Sequence, residues 1–304
     1  MSRLVPCPLR RLTTGCELLV LSLSAAQLPN QHVRQDPATG NLRVSFRLDD
    51  VDRSILVPLP NHVAPKVAVS FDRRENTYSY KYTITNATTA EQPITEWHLI
   101  ANAAVHIYSI GQPDTWGHDE VQLTSTDPDS ATYVGTPGLN VRWAPKTGLL
   151  TDASSGSILA GLSQGPFSIA CDGRPGFVTS TFRSFVDRRE DDPVFQLPPD
   201  AEHEALAYVN NFEKSGVTRM VLGPAFGRTL SPAEVAAGLA KQLQQMVEAG
   251  QLPPSSEFLM EVIAVLKRQA ERKGRVVETL RHRPGTPTEG EIATVLREDL
   301  NIRY

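Results

Sequence analysis

Cysteine is scarce in this chain, and the scarcity excludes a fold held together by disulfide bonds. The 304 residues include 3 cysteines, too few for the disulfide framework of a small secreted scaffold. Only Cys171 lies beyond the N-terminal segment described below, and it sits in an alternating apolar stretch. We therefore predict that Cys171 is a buried, unreactive thiol.

An excess of positive charge is also lacking. The chain has 30 basic and 34 acidic residues, a formal net charge of −4 and an isoelectric point near 6.0. Proteins that bind nucleic acids usually carry a basic surface, so we expect no nucleic-acid partner. After the N-terminal segment, no apolar run is long enough to cross a bilayer, and we expect no membrane span.

Residues 1–26 have the pattern of a secretory signal peptide. Arginines, among them Arg3 and Arg11, precede an apolar run over residues 18–26 that ends in the small residue Ala26. A basic start, a short apolar stretch and small residues before the cleavage point define such signals. We predict cleavage after Ala26 and a secreted or periplasmic protein. A buried first strand or helix of a cytosolic protein is the alternative.

Residues 78–86 predict a strand with one buried face. Apolar and aromatic side chains occupy every second position, namely Tyr78, Tyr80, Tyr82 and Ile84. Because side chains on a strand alternate between two faces, the tyrosines point inward and the residues between them point into water. This alternation is typical of an antiparallel sheet with one solvated face, as in a β-sandwich.

Short alternating segments separated by turn signals continue from residue 41 to about residue 222. They predict strands at 42–48, 55–57, 67–71, 78–86, 94–101, 105–110, 120–124, 139–143, 157–162, 167–171, 177–186 and 217–222. Such spacing is typical of an all-β domain. We predict a mainly β fold in which residues 27–228 form an antiparallel, immunoglobulin-like β-sandwich.

Residues 229–304 carry helix signals instead. The segment Ser231–Glu234 is a capping box with proline at the first helical position, and apolar residues then recur at helical spacing until Gly250. A second helix is predicted to begin near Ser255 or Ser256, and a third at Thr288. The β-sandwich is therefore expected to be followed by a small α-helical region.

Four segments in the middle of the chain resemble segments found in a known class of modules. They are Thr83–Asn86 at the end of the tyrosine strand, Pro93–Trp97, Leu162–Ile169 and Gly173–Phe177. Over residues 67–186 the chain resembles bacterial exported immunoglobulin-like β-sandwich modules, which often carry an aromatic Y-x-Y-x-V-x-N strand. The resemblance implies the fold and the compartment, and it implies no catalytic residue.

The segment Asp114–Glu120 is the strongest candidate for a binding site. It is predicted as a loop in which Trp116 stands beside His118, Asp119 and Glu120. An indole face stacks well on sugar rings, and carboxylate oxygens suit hard cations. The alternative is that Trp116 covers the end of the sandwich core and the acidic residues are solvated.

Two histidines suggest a weaker hypothesis. If a hairpin turn centres near Asn102, His98 and His106 face each other across two strands, and Glu96 is within reach as a third zinc ligand. Their spacing matches no known ligand motif, so a surface or half-buried histidine pair is the alternative. We predict no metal site and no cofactor.

The segment Gly161–Gly165 matches the nucleophile-elbow pattern G-x-S-x-G. In hydrolases that serine lies between a strand and a helix. Here Pro166 and the alternating residues 167–171 follow, which predicts strand, turn and strand. No catalytic residue is predicted.

These patterns predict a non-catalytic extracytoplasmic binding or structural module, with carbohydrate as one candidate ligand. The expected partner is a glycan or a cell-surface protein, bound through Trp116, His118, Asp119 and Glu120. Two alternatives stay open. A secreted carbohydrate-active hydrolase needs two carboxylates about 5–10 Å apart across a cleft. A protein-docking or assembly protein would act through the helical region 229–304.

Overall fold

Strands come first along the chain and helices last, with one helix before the final strand. The computed structural model describes residues 33–123, 138–146, 156–184, 192–271 and 278–303. The strands are β1 (Val33–Gln35), β2 (Leu42–Leu48), β3 (Val51–Val57), β4 (Pro65–Arg74), β5 (Thr77–Asn86), β6 (Glu96–Asn102), β7 (Ile107–Gly111), β8 (Trp116–Leu123), β9 (Gly138–Pro145), β10 (Ser163–Cys171), β11 (Arg174–Arg183) and β12 (Val217–Phe226). A short 3-10 helix covers Pro193–Gln196, and the α-helices are α1 (Pro199–Ser215), α2 (Pro232–Glu248), α3 (Glu257–Glu271) and α4 (Pro287–Leu300).

The strands form three sheets. One has the order β4-β5-β10-β7, the second has the order β12-β11-β6-β9-β8, and a small third sheet has the order β1-β2-β3. Neighbouring strands within these sheets run antiparallel. The predicted mainly β, antiparallel fold with helices at its C-terminal end is confirmed.

Aromatic side chains fill the space between the two larger sheets. The tyrosine strand is β5, and its inward residues are buried as predicted: Tyr78, Tyr80, Tyr82 and Ile84. Trp97 on β6 meets them from the opposite sheet, with its ring centroid 5.2 Å from that of Tyr82. The Trp97 ring also stacks on Trp143 of β9 at 4.2 Å. Large aromatic rings in such contacts supply much of the burial that holds two sheets together.

A second, smaller core lies between the third sheet and α1. Its buried side chains are Leu42, Val44, Val57, Leu59, Val194, Leu197, Ala201, Ala205 and Val209. The range 27–228 therefore contains, besides the two large sheets, a helix that the sequence analysis did not predict. Its signals were present, because Pro199 occupies the first helical position and Ala201, Ala205 and Val209 recur every fourth residue.

The predicted strand over residues 157–162 is wrong. Only Ile158 pairs there, in an isolated bridge with Ile94. The chain turns at Gly161, which has a φ of 79°, and the amide of Leu162 donates to the carbonyl of Leu159 at 3.0 Å. Because a left-handed glycine interrupts an extended chain, strand β10 begins only at Ser163.

The C-terminal helices pack against the sheets. Helix α2 begins at the predicted capping box, with the Ser231 side chain accepting from the Glu234 amide at 3.3 Å. Helix α4 begins at Pro287, one residue before the predicted Thr288, because proline suits the first helical position and Thr286 before it is the cap. Leu243 and Leu296 belong to the same buried cluster as Tyr80. Among the described helices, none combines the length and apolar character that a bilayer crossing requires.

Candidate functional site

Trp116 lies in the core and not on an exposed loop. It is the first residue of β8, its exposed fraction is 0%, and its ring meets Phe167 edge to face at 5.1 Å. A sugar-stacking platform needs an exposed ring face, and the buried indole offers none. The residue covers the aromatic core, which is the alternative that the sequence left open.

The three polar residues predicted beside Trp116 are exposed on β8 but do not converge. His118 Nδ1 is 2.8 Å from Gln112 Oε1, and Asp119 Oδ2 accepts a hydrogen bond from Arg142 at 3.1 Å. No group of three or more metal-ligating side chains occurs among the residues that the structure describes. Ligand binding by His118, Asp119 and Glu120 stays a prediction.

The two histidines do not form the pair that the zinc hypothesis needed. His98 lies on β6 and His106 directly before β7, and these strands belong to different sheets. The predicted hairpin is absent because the chain crosses between the sheets after Asn102. The His98 ring is buried and contacts Glu96 and Asn140.

Glu96 is the centre of a charge network on this sheet. Its carboxylate contacts His98 and pairs with Arg142 at 3.2 Å and Arg183 at 3.3 Å. Burial opposes its ionisation, but the hydrogen bonds and charges of His98 and Arg142 outweigh burial and lower the pKa of Glu96 to about 2. These contacts tie three neighbouring strands together, so the network has a structural role.

Two other sequence predictions concern nucleophiles. Ser163 opens strand β10, and its hydroxyl is 2.7 Å from that of Thr85 on β5. A strand, and not a helix, follows this serine, so the nucleophile-elbow geometry is absent here. Cys171 is fully buried as predicted, and burial raises the pKa of its thiol to about 12.

A different set of side chains converges where the sheets meet the last helix. They line a cavity of about 230 Å³, which we call the arginine cleft, and the charged or aromatic members are Arg73, Tyr78, Asp172, Arg174, Arg228 and Asp299. These residues come from the β4–β5 hairpin, the β10–β11 turn, the segment after β12 and the end of α4.

The tight turn between β10 and β11 positions Asp172 and Arg174 at the cleft. A Cβ atom on Gly173 would lie 2.6 Å from Val105 and 2.7 Å from Pro224, so only glycine fits at this turn. The turn is held in place by the Tyr80 hydroxyl, which donates to the Gly173 carbonyl at 2.8 Å. Asp172 Oδ1 in turn accepts the His106 amide at 2.7 Å.

Arg174 and Asp299 form a bidentate ion pair inside the cleft. Arg174 Nε is 3.0 Å from Asp299 Oδ1, and Arg174 Nη2 is 2.8 Å from Oδ2. The remaining nitrogen, Nη1, donates to the Leu230 carbonyl at 2.8 Å. The exposed fractions of the two side chains are 12% and 1%. This pair joins the β10–β11 turn to the last turn of α4, and the charges of the guanidinium and the carboxylate neutralise each other.

Tyr78 completes the set of bonds around Asp299. Its hydroxyl donates to Asp299 Oδ1 at 3.0 Å. Burial, together with the nearby Asp299 charge, raises the pKa of Tyr78 to about 12. The phenol therefore stays protonated as a hydrogen-bond donor, and it is unsuited to act as a general base near neutral pH.

Two guanidinium groups are left at the mouth of the cleft. The Arg73 guanidinium lies over the Tyr78 ring, 5.5 Å from its centroid, and Arg228 Nε is 4.0 Å from Asp172 Oδ2 with 64% of its side chain exposed. With Arg174 and Asp299 neutralising each other, Arg73 and Arg228 face one remaining carboxylate, that of Asp172. The cleft therefore has an excess of one positive charge.

Sequence reasoning missed the arginine cleft because its members are far apart in the chain. Arg174 and Asp299, for example, are 125 positions apart. The one local signal was the Asp-Gly dipeptide at 172–173, which marks a tight turn. Oppositely charged residues, Asp172 and Arg174, stand on either side of the glycine.

Comparisons with known proteins add no family to this picture. No protein-family model matches the sequence, and no curated protein matches it significantly.

Proposed function

We propose that this protein is a non-catalytic, extracytoplasmic binding module of the immunoglobulin-like β-sandwich type, and that it holds an oxyanion group of its ligand in the arginine cleft. Phosphate, sulfate and carboxylate are the groups that meet this description. The observation that carries the proposal is the pair of guanidinium groups, Arg73 and Arg228, that remain at the cleft mouth after Arg174 and Asp299 have paired.

Guanidinium groups favour this ligand class for a geometric reason. Arginine presents several N–H donors in a planar fork that matches the oxygens of carboxylate and phosphate groups. Arg73 is already oriented by the Tyr78 ring and by its Nε bond to the Glu75 carbonyl at 3.1 Å. An oriented side chain loses less entropy on binding than a mobile one.

The position of the cleft in the fold also supports a binding role. Two antiparallel sheets packed face to face over an aromatic core are the layers expected of an immunoglobulin-like sandwich. The β4–β5 and β10–β11 turns lie together, because Tyr78 pairs with Cys171. Turns at the end of a rigid sandwich are where such domains commonly bind ligands.

The cleft does not favour hydrolysis. Its two carboxylates, Asp172 and Asp299, both accept hydrogen bonds from the protein itself. A general acid must hold a proton that it can give to the substrate, and a carboxylate in a bidentate arginine pair does not do so. Recognition of charge is therefore the better-supported activity.

Isothermal titration with inorganic phosphate and sulfate, at constant ionic strength, tests the proposal. We expect binding in about the millimolar range and roughly tenfold weaker binding for Arg73→Ala or Arg228→Ala, since a hydrogen bond to a charged group contributes about 1.5–3 kcal/mol. Arg297→Ala is the matched control, because Arg297 is exposed on α4 and forms an ion pair with the adjacent Glu298 at 2.9 Å.

Titration with two sugars, one charged and one neutral, distinguishes recognition of the charge from recognition of the carbohydrate. Glucuronate should bind and glucose should not if the carboxylate is what the cleft recognises; equal binding of both would favour a neutral glycan site. Anion binding that survives loss of both arginines would disprove the proposal.

The protein for these titrations should be produced with residues 1–26 and purified after export, because its intact mass then reports whether the chain begins at Gln27.

A further inference from the structure

A second cavity lies where the edges of the two large sheets meet. Strands β4 and β12 are the edge strands of their sheets. Between them and the helices lies a cavity of about 360 Å³, which we call the Glu291 cleft. Its lining includes Val67 and Val69 of β4, Val221 of β12 and Met246 of α2. The volume is in the range typical of small-molecule sites.

The lining of the Glu291 cleft combines apolar side chains, among them Val67, Val69 and Met246, with polar groups, and one of the polar groups is the Glu291 carboxyl. Glu291 lies in the first half of α4 and is half-buried. Burial raises the pKa of its carboxyl to about 7, opposed only by a hydrogen bond from the Val69 backbone. An ionised carboxylate there has lost part of its hydration, and among the described residues no salt bridge compensates it, so its burial is unfavourable.

Among the residues that the structure describes, few titratable groups face Glu291, and one is the buried Tyr82 phenol of β5, whose pKa is raised by burial and by the Glu291 charge. The lining residues from β4 and from the end of α2 are uncharged, and β12 contributes the guanidinium of Arg219. Arg219 is exposed, and its guanidinium donates to the Thr218 carbonyl at 3.5 Å. The cleft lining therefore holds one carboxyl, that of Glu291, close to apolar side chains, and one guanidinium, that of Arg219.

We propose that the Glu291 cleft binds a small organic cation, a primary ammonium group attached to an alkyl or aryl body. The ammonium would pair with the Glu291 carboxylate, and the apolar body would lie against Val67, Val69 and Met246. Such a ligand supplies a cation for the half-buried carboxylate and an apolar surface for the valine and methionine side chains of the lining. This site is separate from the arginine cleft, and neither proposal depends on the other.

Three probes of equal chain length test this inference: hexylammonium, hexanol and hexanoate, each titrated into the full chain and followed by NMR chemical shifts. At about pH 8.5 we expect hexylammonium to bind at least about tenfold more tightly than hexanol, as expected for a partly buried ion pair, and hexanoate not to bind. Between about pH 5.5 and pH 8.5 its affinity should rise by up to about 30-fold, which is the change in the ionised fraction of a carboxyl whose pKa is near 7.

The variant Glu291→Gln should abolish both the preference for the ammonium and the pH dependence while leaving the cavity shape unchanged. Glu298→Gln is the matched control on the same helix, since its side chain is exposed and pairs with Arg297. Equal affinities for hexylammonium and hexanol would overturn the proposal in favour of a purely apolar site. Preferred binding of hexanoate would overturn it in favour of Arg219, and no binding by any probe would also reject it. Phosphate binding at the arginine cleft is read from different variants, so failure at one site is distinguishable from failure at the other.

Discussion

Two carboxyl groups of helix α4, the buried Asp299 and the half-buried Glu291, differ in their partners. Asp299 lies in its last turn, 1% exposed, and receives a bidentate pair from Arg174 and a hydrogen bond from Tyr78. Glu291 lies two turns earlier among apolar side chains, and its hydrogen bond comes from the Val69 backbone. Both carboxyls face the sheets from the same helix.

The difference shows that burial alone does not decide what a carboxyl group does. Where a guanidinium meets it, the group stays ionised and fastens the helix to the sheet. Where no cation meets it, burial favours the protonated form and raises the pKa into the physiological range. The first situation stabilises the fold, and the second leaves a group that can respond to pH or to a cationic ligand.

Removing the partner of Asp299 should have the largest effect. Arg174→Ala leaves a charge that is 1% exposed without its cation, and breaking a buried pair in this way typically costs about 3–5 kcal/mol. We expect that loss in the free energy of unfolding, measured with urea at neutral pH.

A double-mutant cycle sharpens the test. The variant that combines Arg174→Ala with Asp299→Ala should lose little more stability than Arg174→Ala alone, because the uncompensated charge is then gone. Losses that simply add would mean that the two side chains do not act as a pair.

The second prediction concerns the pH dependence of stability at Glu291. Its folded pKa of about 7 lies above the unfolded value, so the folded state binds the proton more tightly. The stabilisation is complete at low pH and is lost as the pH rises from about 4.5 to 7, by at most about 3 kcal/mol.

The variant Glu291→Gln cannot ionise and should not show this loss. It should therefore be more stable than the wild type at about pH 8, with the difference vanishing near pH 4.5. Urea unfolding across this pH range measures it, and parallel profiles for the two proteins would contradict the assignment. Glu298→Gln serves again as the exposed control.

The smallest effect is expected at the start of the same helix. Thr286 Oγ1 accepts the Glu289 amide at 3.2 Å, and replacing such a cap by alanine typically costs about 1 kcal/mol. Thr286→Ala should lower the free energy of unfolding by about that amount without changing its pH profile. A loss as large as that of Arg174→Ala would show that local capping, and not the ion pair, holds α4 in place.

Features that depend on neighbours along the chain could be predicted from the sequence. The inward face of β5 follows from the alternation at Tyr78, Tyr80 and Tyr82, and the start of α2 follows from Ser231 and Glu234. The misplaced start of α4 is of the same kind, because the proline rule that places Thr286 at the cap is a local rule. Helix α1 was missed although its signals were equally local.

Features that depend on which strands become neighbours were not predictable. His98 and His106 are close in sequence, yet β6 and β7 join different sheets. Trp116 begins an edge strand and points into the core. There its ring contacts Phe167, which lies 51 positions later in the chain. Neither the sheet order nor the direction of that ring is encoded in the spacing of nearby residues.

The sequence by itself determined the strand rhythm, the buried face of the tyrosine strand and the helical character of the C-terminal part, since backbone periodicity and capping act over a few residues. Only the tertiary structure decided that Trp116 is buried, that Arg174 meets Asp299 and that Glu291 lies beside Val69 at the edge of the sheet. Those outcomes depend on contacts between distant segments, which form when the sheets and helices bury their apolar faces together.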